Sequence, residues 1–572
     1  MCQVIPEMRD FVDVQLDLSD PASQSIKVSL SWMPRSKCQH WSLPIWTPGS
    51  YTVREHVQHL HSLNLIQGST ELTVQRVCPS GWKIELDSLE TLTLSYVIQA
   101  RQLTVRTCYL DPDFASLCLA AAVVEIDGHR WSPHQLKVSL PVSWKAYIPL
   151  LGEGSFYAED FDHLVDAPFH AGCFQSHHFD VNTNKHQLVC IGDPPMGWPS
   201  GFLEDISSIC KATCSLMEDS PPAGDRYQLV IQMLDSGYGG LEHDYGAVLQ
   251  YSWRALSEQD GYRKLLQLIG HEYLHQWNVR RLRPREYRPY DYSEAVISDS
   301  LWFAEGVTSY FDLALPFLAG LSDRLDLLKD LSAEFSPLLI HTGRCYQSLA
   351  DSSREAWVKL YKSTPASVDV QVSYYRLGAA LAFCLDVRLR QQGSSLAHIL
   401  RRLWLKFGLS ARGYSRLDIY ESIAEVDLDL AKEVNNWLDQ LNNLPLKSVI
   451  NDLGLHLEPV LSNEGETGLT LVESEGQIKI TRVTIGSMAN QAGLVVGDEL
   501  LAIGGFRCRH VDDLKALMPN DHSVVITYSR RGRLGETTIA SDQPGVDHWD
   551  ITMDDQASSK TINLRERWLE IV

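Results

Sequence analysis

Residues 268–278 read Leu-Ile-Gly-His-Glu-Tyr-Leu-His-Gln-Trp-Asn. His271 and His275 stand four apart, so a helix places them on one face about one turn from each other. Two neutral imidazoles so placed reach one Zn²⁺ at about 2.0–2.1 Å. Glu272 follows the first of them and is placed to meet a metal-bound water rather than the metal. A carboxylate there takes the water's proton and later passes it to a leaving amine. The metal does the other half, lowering the water's pKa to about 7 and polarising the carbonyl under attack. Glu305 is the candidate third ligand. It sits in Leu301-Trp302-Phe303-Ala304-Glu305-Gly306-Val307-Thr308-Ser309-Tyr310-Phe311, a lone carboxylate in an apolar helical pattern. Burying such a group is costly unless it is paired or binds a metal. Two His, one Glu and a water complete a four-coordinate catalytic site, one zinc per chain. The same donors would accept Co²⁺ or Mn²⁺. The competing readings are a chance His-Glu-x-x-His and a solvent-facing Glu305. The apolar flanks of both segments weigh against them.

These residues need elements to hold them. From about 8 to 170 the chain alternates apolar and polar residues, as in Phe11–Leu16, Ser25–Leu30, Leu92–Ile98 and Gln135–Leu140. That two-residue period, broken by Gly, Pro and Asp, predicts a β-sandwich-like domain over 1–172. Leu188–Ile191 and Tyr227–Leu234 read as further strands. Helical, Leu-rich periodicity then runs through Leu325–Leu339, Gly378–Leu389, Leu396–Phe407 and Asp429–Leu441. The stretch 276–304, with Pro284, Pro289 and many Arg and Tyr, reads as a loop returning the chain to Glu305. A mixed and α-helical catalytic domain is expected over 173–447, and a third unit of short strands with one helix at Val511–Met518 over 448–545. A tail follows over 546–572, and the polar stretch 541–560 is the weakest candidate for order. The fold class is therefore multidomain α+β.

The chain has 572 residues, 44% hydrophobic and 21% charged, which suits a soluble globular protein of three or four units. Its formal charge of −22 repels phosphate, so nucleic acid is an unexpected partner. No apolar run reaches the length of a membrane span, and no export signal is evident at Met1–Glu7. Twelve cysteines are scattered without a Cys-x-x-Cys pair. They read as reduced, mostly buried thiols in a cytoplasmic setting. Histidines at 56, 59, 61, 177 and 178 are read as surface or strand residues rather than ligands.

The segment His271–Pro284, HEYLHQWNVRRLRP, taken with LWFAEG around Glu305, resembles the glycyl aminopeptidase family of gluzincin metallopeptidases. WTPGSY at Trp46–Tyr51, followed by TVREH, resembles that family's N-terminal β-domain, so the likeness covers nearly the whole chain. It implies a thermolysin-like catalytic domain that removes N-terminal residues, small ones such as Gly and Ala. Gly239-Gly240-Leu241-Glu242 is similar to the Gly-x-Met-Glu segment that lines the substrate in gluzincin aminopeptidases. The resemblance gives Glu242 the role of holding the substrate's ammonium, a fit to its charge. Taken alone the segment reads as a Gly-rich turn. Tyr374-Tyr375-Arg376-Leu377-Gly378 is similar to the segment that supplies an oxyanion donor. It implies Tyr375 in that role, with Tyr374 as the alternative. Gly468-Leu469-Thr470-Leu471 resembles a PDZ carboxylate-binding loop, and Val496–Gly505 the stretch most specific to PDZ domains. That implies a second ligand, a peptide C-terminus held by strand addition. Two alternatives remain: an endopeptidase with an open cleft, and an inactive scaffold whose PDZ-like unit does the binding. Substrate identity and oligomeric state are not legible.

Overall fold

The structure is a computed structural model that describes residues 11–465, 467–518, 523–540, 544–554 and 556–571. Strands Val12–Asp17, Ser25–Trp32, Leu92–Gln99 and His134–Ser139 form where the two-residue period predicts, within one eight-stranded sheet. Their register stacks the apolar positions: Val14 faces Leu30, which faces Leu94. All three are fully buried. A four-stranded sheet built on Cys38–Ser42 and Gly81–Glu85 covers that face, and Trp41 meets Trp32 edge-on at 6.2 Å. Two such layers make the sandwich.

The middle part of the chain opens with a five-stranded sheet. Its strands are β1 (Gln175–Val181), β2 (Asn184–Ile191), β3 (Gln228–Leu234), β4 (Tyr238–His243) and β5 (Gly246–Ser252), in the order β1-β2-β3-β5-β4. Strands β2, β3 and β5 run parallel and are covered on both faces, which explains their continuous apolar runs. Strand β4 is antiparallel to β5 and forms the edge. Gly239 and Gly240 thus lie in an edge strand, not in the turn their composition suggests. The missing Cβ of Gly240 serves close approach to Glu272 rather than chain reversal.

Helix α1 (Gly261–Leu274) carries His271 and ends on His275 as its C-cap, and Leu265, Leu266, Leu268 and Ile269 bury its other positions. Helices α2 (Val307–Leu318), α3 (Arg324–Ile340) and α4 (Tyr374–Gln391) enclose the site. No helix among the described residues is long and apolar enough to cross a membrane. All described cysteines are free.

The C-terminal part is divided in space differently from its division in sequence. Strand β6 (Leu455–Gly465) pairs with β8 (Pro544–Met553), and this ribbon packs on α3. Between its two strands the chain forms a separate unit, whose sheet begins at the edge with β7 (Leu469–Ser474) and which also holds helix α5 (Asp513–Leu517). Within the polar stretch 541–560, β8 is regular structure, while 541–543 and 555 lie outside the described residues. The Trp549 and Ile551 amides of β8 donate to Ser336 and Ser332 on α3 at 2.9 and 2.8 Å. Helix α6 (Ser559–Leu569) then seats Trp568, whose indole N–H donates to the Tyr310 hydroxyl at 2.9 Å.

Candidate active site

The three sequence-predicted ligand residues converge. His271 Nε2 and His275 Nε2 lie 3.5 and 3.2 Å from Glu305 Oε2. Donors about 2.05 Å from a tetrahedral ion stand about 3.3 Å apart, so this spacing fits one zinc ion. The outer nitrogens are spoken for. His271 Nδ1 donates to Asp312 Oδ2 at 2.7 Å, and His275 Nδ1 to the Asn278 carbonyl at 2.6 Å. These bonds leave both Nε2 lone pairs aimed at the common point, as a metal site requires. Among the described residues, His271, His275 and Glu305 form one cluster fit to hold a metal. Glu242, Glu272 and His275 form a second, overlapping one. Burial opposes the charge of Glu305, but His275 and His271 hold its carboxyl below the usual range.

Local irregularity delivers Glu305 to this cluster. Trp302–Gly306 forms a π-turn at the head of α2, with the Val307 amide bonded to the Trp302 carbonyl. Such turns recur at functional sites because they shift one residue around the helix. Asn278 fastens the turn to the histidine segment: its side-chain amide donates to the Phe303 carbonyl at 2.9 Å and the Ala304 carbonyl at 3.2 Å. On the other side, α2 meets α4 glycine to glycine. A Cβ on Gly306 would lie 2.5 Å from Gly378 Cα, and one on Gly378 would lie 2.9 Å from Gly306 Cα. This crossing brings Tyr375 beside His271, with ring centroids 6.3 Å apart. Tyr375 lines the cleft, and its hydroxyl lies 3.2 Å from that of Tyr361. Tyr374 is buried and stacked on Tyr375.

Glu272 is 5% exposed, and burial pushes its carboxyl up while His271 and His275 pull it down. Strand β4 lies directly over it. A Cβ on Gly240 would come 2.7 Å from Glu272 Cγ and nearer still to the carboxylate. Gly239 and Gly240 line the cleft, and the Gly240 carbonyl accepts from Arg106 of the β-domain at 3.0 Å. Glu242, 4% exposed, lies two residues further along β4. It faces Gly49 of the WTPGSY loop, where a Cβ would fall 2.7 Å from the Glu242 Cδ. That loop is held by Trp46, packed edge-on against Trp357 at 5.2 Å and bonded to the Asp291 carbonyl at 2.6 Å. Beyond Glu242, buried Arg280 bonds Asp166 at 2.6 Å and Asp244 at 2.9 Å, tying the end of β4 to the segment after the histidines.

Sequence reasoning missed Asp312, Asn278, Arg106 and Gly49 as site residues. Asp312 lies seven residues after Glu305, two turns along, and that spacing was its signal. The predicted PDZ loop, Gly468 to Leu471, lies elsewhere, at the start of β7.

Comparison with known proteins follows the same division. The M61 glycyl aminopeptidase model matches residues 264–381, and the M61 N-terminal domain model matches 13–173. In both regions the chain is similar to the M61 glycyl aminopeptidase family. These matches make the protein a metallopeptidase of the aminopeptidase type, and residues 479–530 match a PDZ domain. A crystal structure of an aminopeptidase N family protein from Idiomarina loihiensis superposes with a TM-score of 0.90 at 25% identity. The match covers 98% of this chain and 100% of that one. An M1 zinc metallopeptidase from Deinococcus radiodurans aligns at 14% identity with a TM-score of 0.48, over 76% of this chain and 95% of that one. No curated protein matches the chain.

Proposed function

We propose that the protein is a zinc aminopeptidase that releases single small residues, Gly or Ala, from the N-termini of peptides. His271, His275 and Glu305 would hold the ion. Zinc bound there supplies a Lewis acid that polarises the scissile carbonyl and makes water nucleophilic near pH 7. Glu272 takes the proton of the attacking water and returns it to the leaving amine. The Tyr375 hydroxyl donates to the oxyanion, and Glu242 binds the substrate's ammonium.

The observation that carries this reading is Glu242 itself. Its Oε1 is buried and meets no hydrogen-bonding partner among the described residues. A buried carboxylate oxygen left so is costly, and an ammonium ligand removes the cost. Distance supports single-residue release. Ligand atoms of Glu242, Glu272 and His275 lie within 4.8 Å of one another. One residue fits between an ammonium at Glu242 and a carbonyl beside Glu272, while a second would add about 3.8 Å. The close approach of Gly49 to the Glu242 carboxylate supports an exopeptidase with little room for a first side chain.

The test compares Gly- and Ala-arylamides with their N-acetylated forms. Cleavage of the free amines alone, with Glu272→Gln inactive but metal-loaded, is the expected result. Equal cleavage of acetylated substrates would favour an endopeptidase and remove the role of Glu242.

A further inference from the structure

Two cavities share a wall. The catalytic cleft, about 500 Å³, ends on Ala333 and Glu334 of α3 and on Arg376 of α4. A second cavity, about 670 Å³, starts at the same Ala333 and follows Pro337 and Ile340 of α3 to Leu469, Leu514 and Met518. Leu469 opens β7 and Leu514 lies on α5, the edge strand and helix between which a PDZ fold seats a peptide. Gly545–His548 of β8 close the far side. The PDZ groove therefore faces α3, and one helix walls both groove and cleft.

The polarity of β4 decides what could join them. A peptide that adds antiparallel to this edge strand, with its ammonium at Glu242, runs past Gly240 toward Tyr238. Tyr238 is 66% exposed and shares the cleft with Ala333 and Glu334. The C-terminal half of the substrate thus leaves toward α3, the side on which the PDZ groove lies, and a PDZ groove takes C-termini. The span is held firmly. Arg482 of the PDZ sheet pairs with buried Asp369 at 2.6 Å, and the β6–β8 ribbon is bonded to Ser332 and Ser336 of α3. The loop is built for close approach: Gly468 has φ +73°, and a Cβ there would run into Ser487. The Leu469 amide makes only a 3.3 Å bond to Thr467 Oγ1, one a carboxylate would replace.

We infer that the PDZ groove receives the free C-terminus of the same peptide whose N-terminus occupies the catalytic cleft. The substrate class is then oligopeptides with a free carboxylate, long enough to cross α3. This rests on the aminopeptidase reading above. The test uses the full-length protein and Gly-initiated peptides of increasing length, as free acids and as C-terminal amides, with Gly-arylamide alongside. Met518→Trp and Ile340→Trp fill the groove from opposite walls. Beyond a threshold length, free acids should outpace amides in kcat/KM by about 10-fold, the worth of a charge-assisted hydrogen bond. Both variants should abolish that preference and leave arylamide turnover unchanged. A preference that is absent at every length overturns the inference. So does one that survives both variants, because the cleft's own Arg376 or Lys264 would then be reading the carboxylate. Fluorescence anisotropy of the same labelled peptides reads capture without hydrolysis. Loss of arylamide turnover in the wild type would therefore count against the catalytic reading alone.

Discussion

Replacing Gly240 with Ala adds one methyl group to the strand that covers the Glu272 carboxylate, the proposed base. The new Cβ would stand 2.7 Å from Glu272 Cγ and closer to Cδ and Oε1. Carbon atoms rest about 3.5–4.0 Å apart, so Glu272 must retreat by about 1 Å. Gly240 does not sit in the left-handed region, so Ala brings no backbone strain there. The atoms that give way are the far end of a flexible side chain, which spares the fold. A misplacement of about 1 Å at a reacting group costs about 100-fold in rate, about 2.7 kcal/mol at the transition state. Gly240→Ala is therefore expected to lower kcat on Gly-arylamide about 100-fold, with thermal stability and metal content unchanged. A double-mutant cycle sharpens the test. Glu272→Asp withdraws the carboxylate by one methylene, so Gly240→Ala should cost less in that background. Near-wild-type kcat in the single variant, or simple additivity in the cycle, would refute the placement of Gly240 over the base.

Three further outcomes follow from the same geometry. Asp312→Asn removes the charge that orients His271, and zinc affinity should drop about 10- to 100-fold in a competition titration while the fold persists; unchanged affinity would deny Asp312 that role. Gly378→Ala drives a methyl group into Gly306 and should destabilise the protein by about 1–3 kcal/mol in denaturant unfolding, so a neutral result would argue against the glycine crossing. Because burial raises the Glu272 carboxyl and the base works only when deprotonated, kcat should fall as pH drops through a pKa above the ordinary value of about 4.3; a limb at or below that value contradicts the buried base.

The candidate site was legible where its pattern is local. His271 and His275 announce themselves by helical spacing, and Glu305 by being a lone acid among Trp302, Phe303 and Ala304. The sandwich strands followed from their period because one face of each is buried. What escaped is non-local. Asp312 looks like any acid on a helix until the fold sets it against His271 Nδ1. Gly49 gains meaning only when the β-domain meets Glu242, nearly two hundred residues away. The β6–β8 ribbon pairs segments separated by the whole PDZ sheet, and local periodicity carries no trace of such a partner. The π-turn at Trp302–Gly306 was hidden because its pattern is also that of an ordinary helix.

The most direct measurement is anomalous diffraction from a crystal of the protein at the zinc absorption edge. The account predicts a single peak per chain, bonded by His271 Nε2, His275 Nε2 and Glu305 Oε2. A peak among Glu242, Glu272 and His275 instead, the overlapping cluster of donors, would make Glu272 a ligand and contradict its role as base.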